Sequence, residues 1–359
     1  MAFRKYDVVG VYIERSRALL CFATATRLHL HSIWKLKPRE KKEVSWQPND
    51  AAEAVSKLKA LGTLIGQRYQ TTDHVAVAGY GPFRSLARES ERCGELHDTA
   101  AHPPLRGANL KSLFQNAILS ANPNHVIEPS IFTDAQAGAV GEAISLDLPN
   151  NRLLAYFIVG EGVGLGLTVG RKPLASALHP EIGLINLRID PKDPLQPPQR
   201  DFPFSLSLAE LASHDAMLNR LNEMHGRGGA TLEMLKSEKG RKFWDYRAYY
   251  LAQASLACSA LLPPHKISIA AYIDPMDDIG ARTMRKFSAF LRQRKKADQP
   301  LFEYPELAKK DFIASALRPD HTPPGSYIAQ RGAIGACYLA ADSIGARDVD
   351  NIGSFRRNG

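Results

Sequence analysis

No apolar run in this chain of 359 residues approaches the roughly 20 residues that a bilayer-spanning helix needs. The opening residues, MAFRKYDVVGVYI, do not have the layout of a secretory signal. Charges interrupt the apolar stretch, which reads instead as a strand. A cytoplasmic location is the expectation. Cysteine is scarce. Cys21, Cys93, Cys258 and Cys337 stand far apart, so no local metal knuckle exists, and their apolar or Ala-rich settings suit reduced core thiols. Low-complexity tracts are absent. No aromatic residues interleave the basic ones, so specific nucleic-acid reading is not expected. The net charge of +9 then implies only loose attraction to anions. Much of that excess lies on one expected helix and its exit, in Arg282, Arg285, Lys286, Arg292, Arg294, Lys295 and Lys296, and reads as a solvated basic face.

What remains is an ordinary globular composition, 44% apolar and 23% charged, in a chain long enough for two domains with cores of their own. Residues 7–13, 17–23 and 27–35 read as three strands with short turns. A helix follows, with Asn49 or Asp50 as its cap and Ala54, Val55, Leu58, Leu61 and Ile65 at helical spacing. VAVA at 75–78 is a buried strand ending in Gly79-Tyr80-Gly81-Pro82. Residues 84–112 are polar and read as a loop. Strands are expected at 153–159, 163–169 and 265–273. Long helices are expected at 244–261 and 278–296, and a small-residue helix at 331–343. The segment 187–200 is proline-rich and irregular.

Three motifs carry chemistry. Asp134 opens the small-residue helix AQAGAVGEA. It can be an ordinary N-cap, or a base that accepts a hydroxyl proton during phosphoryl transfer. Gly160-Glu161-Gly162-Val163-Gly164-Leu165-Gly166 forms a glycine-rich turn between two strands. It fits a tight hairpin as well as a phosphate cradle. His179-Pro180-Glu181-Ile182-Gly183 puts an imidazole and a carboxylate at one turn, a pair able to hold several sugar hydroxyls.

The order of these motifs, FTDAQAGAVGEA, LLAYFIVGEGVGLGLTVG and ALHPEIGLI, resembles sugar kinases of the ROK family, above all the bacterial fructokinase branch. The likeness runs over roughly residues 6–342. It implies an α/β, two-lobed actin-like and ribonuclease H-like sugar-kinase (ASKHA) fold with a ligand cleft between the lobes. A small lobe would comprise residues 1–125, with the helix at 331–343 packed back on it. Residues 126–330 would form the large lobe and 346–359 a frayed tail. The resemblance implies Asp134 as base, Thr133, His179 and Glu181 as sugar contacts, and a homodimer. Ser16, Arg17, Gly160, Gly162, Gly164 and Gly166 would face nucleotide. Mg-ATP would be the cofactor of an active enzyme, and a sugar or sugar-like molecule the ligand.

The departures from the family pattern are as informative. Where the family carries zinc ligands, this chain has Leu184, Asp201, Phe204 and Ser207, so no structural zinc is expected. Phe204 and Leu206 would pack in its place. Tyr12 stands where the family has a metal-orienting Asp, and Glu14 and Arg15 stand where it has two glycines. Glu161 would face a polyphosphate. Ala270-Ala271-Tyr272 replaces a glycine run. In the sugar lobe Cys93-Gly94 and Thr99 are kept, but no Trp or Lys stands in register, so fructose is not implied. The leading expectation is a sugar-binding member with weak or no kinase activity. The alternative is an active, divergent hexose or amino-sugar kinase using Asp134. A sugar-responsive regulator is the third, although the fold starts near residue 6 with no room for a helix-turn-helix ahead of it.

Overall fold

The computed structural model describes residues 5–28, 33–69, 72–98, 103–174, 179–195, 205–226, 228–296, 307, 309–316 and 324–355. In chain order the elements are β1 (Lys5–Ile13), β2 (Arg17–Leu28), β3 (Ile33–Ser45), α1 (Ala51–Arg68), β4 (Thr72–Gly79), α2 (Leu110–Ala121), β5 (Ser130–Thr133), α3 (Asp134–Ser145), β6 (Leu153–Val159), β7 (Val163–Val169), β8 (Lys172–Pro173) and β9 (Asn186–Arg188). There follow β10 (Ser205–Ser207), α4 (Leu208–Ala212), α5 (His214–His225), α6 (Leu232–Ser237), α7 (Arg241–Leu261), β11 (Lys266–Ala271), α8 (Ile279–Lys296), β12 (Ile313–Ser315) and α9 (Pro324–Phe355). The chain divides into two compact units. One comprises Met1–Leu148, Arg171–His179 and Ala329–Gly359, the other Pro149–Gly170 and Pro180–Ile328.

The first unit holds a sheet of order β3-β2-β1-β4-β5. The β1–β2 and β2–β3 pairs are antiparallel, and β1–β4 and β4–β5 are parallel. Side chains alternate across a strand. Val9, Val11 and Ile13 of β1, with Leu20 and Phe22 of β2, therefore face α1 and α2 through Leu58, Leu61, Ile65, Leu110, Phe114 and Ile118. Asp50 caps α1 by accepting from the Glu53 backbone N–H at 2.8 Å. The opposite face of β1 and β2 meets α9, where Cys337 donates its thiol hydrogen to the Cys21 carbonyl at 3.1 Å. All four cysteines are free and buried.

Between α3 and α9 the backbones nearly touch. A Cβ on Gly335 would collide with the Ala137 carbonyl, and one on Gly141 with the Arg331 carbonyl. Edge strand β3 exposes Lys35, Lys37, Pro38, Lys41 and Lys42, which guards an open sheet edge against unwanted pairing.

In the second unit β6 pairs antiparallel with β7 and parallel with β11, which pairs parallel with β12. Ala155, Phe157, Val159, Ile267 and Ile269 pack on Tyr250, Leu251, Ala254 and Cys258 of α7 and on Ile279, Met284 and Phe287 of α8.

Several boundaries differ from the expectation. The strand expected at 27–35 is the end of β2 and the start of β3. Helix α2 lies partly in the expected loop, with Leu110, Phe114 and Ile118 as its buried stripe. The helix expected at 331–343 extends from Pro324 to Phe355, through the segment expected to fray. Arg282 is not on a solvated face. It is 2% exposed and bonds Asp278 at 2.6 Å and Asp245 at 2.9 Å. No described helix is long and apolar enough to cross a membrane.

Candidate functional site

In the first unit, β5 delivers Thr133 and Asp134 to the start of α3. Thr133, not Asp134, is the cap. Its hydroxyl accepts from the Gln136 N–H at 3.0 Å while its own N–H donates to the Gln136 side chain at 3.0 Å, a capping box. Asp134 is thereby left at the first helical position with its carboxylate uncommitted to capping. One of its oxygens accepts from the Ala135 N–H at 2.7 Å. Burial pushes its pKa up to about 7, against the pull of that hydrogen bond, and the negative Glu14 adds to the rise.

Glu14 sits in the β1–β2 turn, which its N–H closes on the Arg17 carbonyl at 2.8 Å. Its carboxylate is bonded to the Arg17 guanidinium, which also reaches Glu43 at 3.5 Å. Trp46 pins the same turn, donating its N–H to the Ser16 carbonyl and its indole N–H to the Arg15 carbonyl, each at 2.9 Å. Tyr12 is fully buried, with its ring against Gly332 of α9.

His179 also belongs to this unit. Its ring lies on Gly81, where a Cβ would collide with it, and its centroid is 6.0 Å from that of Phe83. Burial lowers its pKa to about 4, so the imidazole is neutral. Its Nδ1 makes no hydrogen bond among the described residues.

In the second unit, the Gly160 N–H closes the turn on the Gly162 carbonyl at 2.9 Å, and the Gly160 carbonyl accepts from the His214 N–H at 2.7 Å. Gly164 and Gly166 lie within β7, opposite Ile158 and Tyr156. The exit of β11 folds back on the turn. The Tyr272 N–H donates to the Val159 carbonyl at 3.0 Å, and its ring comes within 3.1 Å of where a Gly160 Cβ would stand. Two elements that the sequence places far apart are therefore in contact.

Glu181 leads into a 3-10 turn, Ile182–Leu184, which closes on its carbonyl. Its carboxylate is exposed, yet partial desolvation still raises its pKa. Gly183 allows this turn to reach β7, since its Cβ would stand 2.8 Å from the Val163 carbonyl.

Arg247 of α7 is fully buried. It donates to the Ser213 carbonyl at 3.3 Å and the Ile273 carbonyl at 3.0 Å, and burial brings its pKa down to about 9. Sequence reasoning missed it. A lone Arg inside an apolar helix gives no local sign of the carbonyls it will meet. It missed Glu14 as a neighbour of Asp134 for the same reason, because only the β1–β4–β5 pairing brings those segments together.

Among the expected zinc positions, Leu184 is 66% exposed. The Ser207 hydroxyl is committed to Glu210 at the start of α4, donating at 2.7 Å and accepting at 3.2 Å. Leu206 joins the core as expected. Asp201 and Phe204, like Thr99 in the sugar lobe, lie outside the described residues. Among the described residues no three His, Cys, Asp or Glu side chains cluster as a metal would need. Nor do the residues present fit Mg-ATP. A buried phenol stands where the resemblance implies a metal-orienting carboxylate, a carboxylate already bonded to Arg17 occupies the hairpin, and the Tyr272 ring lies against Gly160.

The chain belongs to the ROK family, whose model matches residues 39–342. The match begins after the hairpin that holds Tyr12, Glu14 and Arg17. A fructokinase from Streptococcus mutans is 26% identical over 218 residues, covering 60% of this chain and 68% of the relative. Among solved structures, a ROK family protein from Streptococcus pneumoniae in complex with sucrose aligns with a TM-score of 0.60 at 17% identity, covering 95% of this chain and 99% of that one. A ROK family glucokinase from Streptomyces griseus in complex with glucose and AMPPNP aligns with a TM-score of 0.56 at 15% identity, covering 93% and 99%. The α/β fold is that of the ROK sugar kinases.

Proposed function

We propose that this chain is a sugar-binding ROK protein that transfers phosphate from ATP weakly or not at all. The observation that carries this is Tyr12. The place of a metal-orienting carboxylate is taken by a phenol wholly within the core, against Gly332. Magnesium-assisted phosphoryl transfer depends on such a carboxylate to hold the ion against the phosphates. The sugar side supports the reading from the other direction. Thr133, Asp134 and His179 in one unit and Glu181 in the other keep the residue types that hydroxyl recognition needs, and a relative of this fold is known with sucrose bound.

The test is calorimetry with ATP and Mg²⁺, run beside thermal-shift screening of a sugar panel. Stabilisation by a sugar without measurable ATP binding is the expected outcome. Micromolar ATP binding with ordinary turnover on any sugar overturns the reading.

Asp134 favours a second reading, an active but divergent hexose or amino-sugar kinase. A carboxyl group with a pKa of about 7 is matched to taking a proton near neutral pH. A coupled phosphorylation assay decides it. Full activity in Asp134→Asn would exclude this residue as the base.

A further inference from the structure

In the second unit a strap runs from Glu181 to Asp193, with a candidate ligand residue at one end and a buried charge at the other. Near its start, Gly183 rests on the Val163 carbonyl and the Ile185 carbonyl accepts from the Leu208 N–H at 2.9 Å. Beyond that, three side chains from one stripe of α7 grip the strap's backbone. Gln253 accepts from the Arg188 N–H at 3.1 Å and donates to the Arg188 carbonyl at 2.8 Å. The Tyr250 hydroxyl accepts from the Asp190 N–H at 3.2 Å, and the Tyr246 hydroxyl donates to the Lys192 carbonyl at 2.8 Å.

The strap ends in an ion pair. Asp193 and Arg220 have side chains with 0% exposure. The guanidinium donates to the carboxylate from Nε at 2.9 and 3.1 Å and from Nη2 at 2.7 Å, and its Nη1 donates to the Leu211 carbonyl at 2.7 Å. The Tyr250 hydroxyl donates to Asp193 at 2.5 Å. The rings of Tyr246 and Tyr250 lie 5.8 and 5.3 Å from the guanidinium carbon.

Desolvating two charges offsets most of their attraction, and a well-packed apolar pair of similar volume often gives a more stable fold. An ion pair with fixed bond directions supplies something an apolar pair does not, which is one geometry. We propose that Asp193, Arg220 and Tyr250 form a clasp that sets the path of the Glu181–Asp193 strap, and through it the placement of the Glu181 carboxylate. They are positioning residues and need not touch ligand. The ligand part of this inference rests on the proposed role of Glu181 in sugar binding. The clasp itself does not.

The test compares the wild type with the apolar pair Asp193→Leu/Arg220→Met and with Asp193→Asn. The measurements are urea unfolding, amide hydrogen exchange over residues 181–193, and calorimetric titration with D-fructose and with sucrose. The apolar pair is expected to unfold at wild-type urea concentrations while the strap amides exchange about ten-fold faster or more, and to bind whichever sugar the wild type binds about ten-fold more weakly. Should the apolar pair fail to fold, Asp193→Asn is expected to give the same local acceleration with native exchange in β6 and β11. Wild-type exchange over 181–193 in a folded variant overturns the clasp. If neither sugar binds the wild type, the role of Glu181 falls, while the exchange data still decide the clasp.

Discussion

The ring of Tyr12 abuts the backbone of Gly332 so closely that a Cβ at position 332 would fall inside the ring's van der Waals surface. Gly332→Ala is therefore expected to destabilise the chain by about 1–3 kcal/mol, the usual range for overpacking a filled core. The urea midpoint reads this directly. Tyr12→Asp, which puts a carboxylate where the family resemblance implies one, is expected to do worse, because it places an ionisable group at a position with 0% exposure. A folded Tyr12→Asp protein that still failed to bind Mg-ATP would show that the buried phenol alone is not what excludes the nucleotide.

Asp134 gives a stability signature with a definite sign. Its folded-state pKa of about 7 stands above the ordinary 3.8. Neither state is charged below 3.8, so there the group has no effect. As the pH rises from 3.8 to 7, the folded state resists ionisation that the unfolded state accepts, and stability is lost. At pH 8 the penalty is on the order of 4 kcal/mol, from about 1.4 kcal/mol per tenfold change in proton affinity. Asp134→Asn is expected to be more stable than the wild type at pH 8 and equal to it near pH 3.5. Equal stability of the two proteins at pH 8 would mean that Asp134 is well solvated.

His179 acts on the acid side. Burial holds its pKa at about 4, below the ordinary 6.5. A neutral buried imidazole contributes stability that is fully present above pH 6.5 and is lost as the pH falls toward 4. His214, with a pKa near 3, shifts in the same sense. His179→Gln is expected to flatten the loss of stability between pH 6.5 and 4 without abolishing it. Chemical unfolding at half-unit pH intervals is the measurement, and an unchanged acid limb would place the ring in water.

A chelator is expected to leave the melting temperature unchanged, with zinc well below one equivalent by elemental analysis. Leu184 points its apolar side chain at solvent, and Ser207 is occupied in capping α4. A zinc-loaded protein that melts lower in EDTA would contradict this.

Most of the frame was legible because it is written in local pattern. The buried strand runs VVGVYI, VAVA and LLAYFIV announce β1, β4 and β6, and Asp50 marks the start of α1. Helix α2 carried an equally plain signal in Leu110, Phe114 and Ile118, but it followed a polar stretch read as loop and no helix was expected there. The candidate site was only half legible. Thr133, Asp134, His179 and Glu181 stand in recognisable short motifs. The relations of Glu14 with Asp134, of Tyr272 with Gly160, and of Asp193 with Arg220 come from segments brought together by sheet pairing and helix packing, and no spacing rule encodes them.

The seam between α3 and α9 has an evolutionary consequence. Gly335 rests on one helix's carbonyl and Gly141 on the other's, so each lock sets main chain against main chain. No neighbouring side chain can rotate away to admit a newcomer, and single substitutions there are expected to be purged in any lineage that keeps the fold. The β1–β2 turn has no glycine lock of this kind: Glu14 and Arg17 pair through their side chains, beside main-chain bonds from Glu14 to Arg17 and from Trp46 to Ser16. Under relaxed selection the hairpin can accumulate changes and the seam cannot. A chemistry can thus fade from one edge of a molecule while its frame stays recognisable.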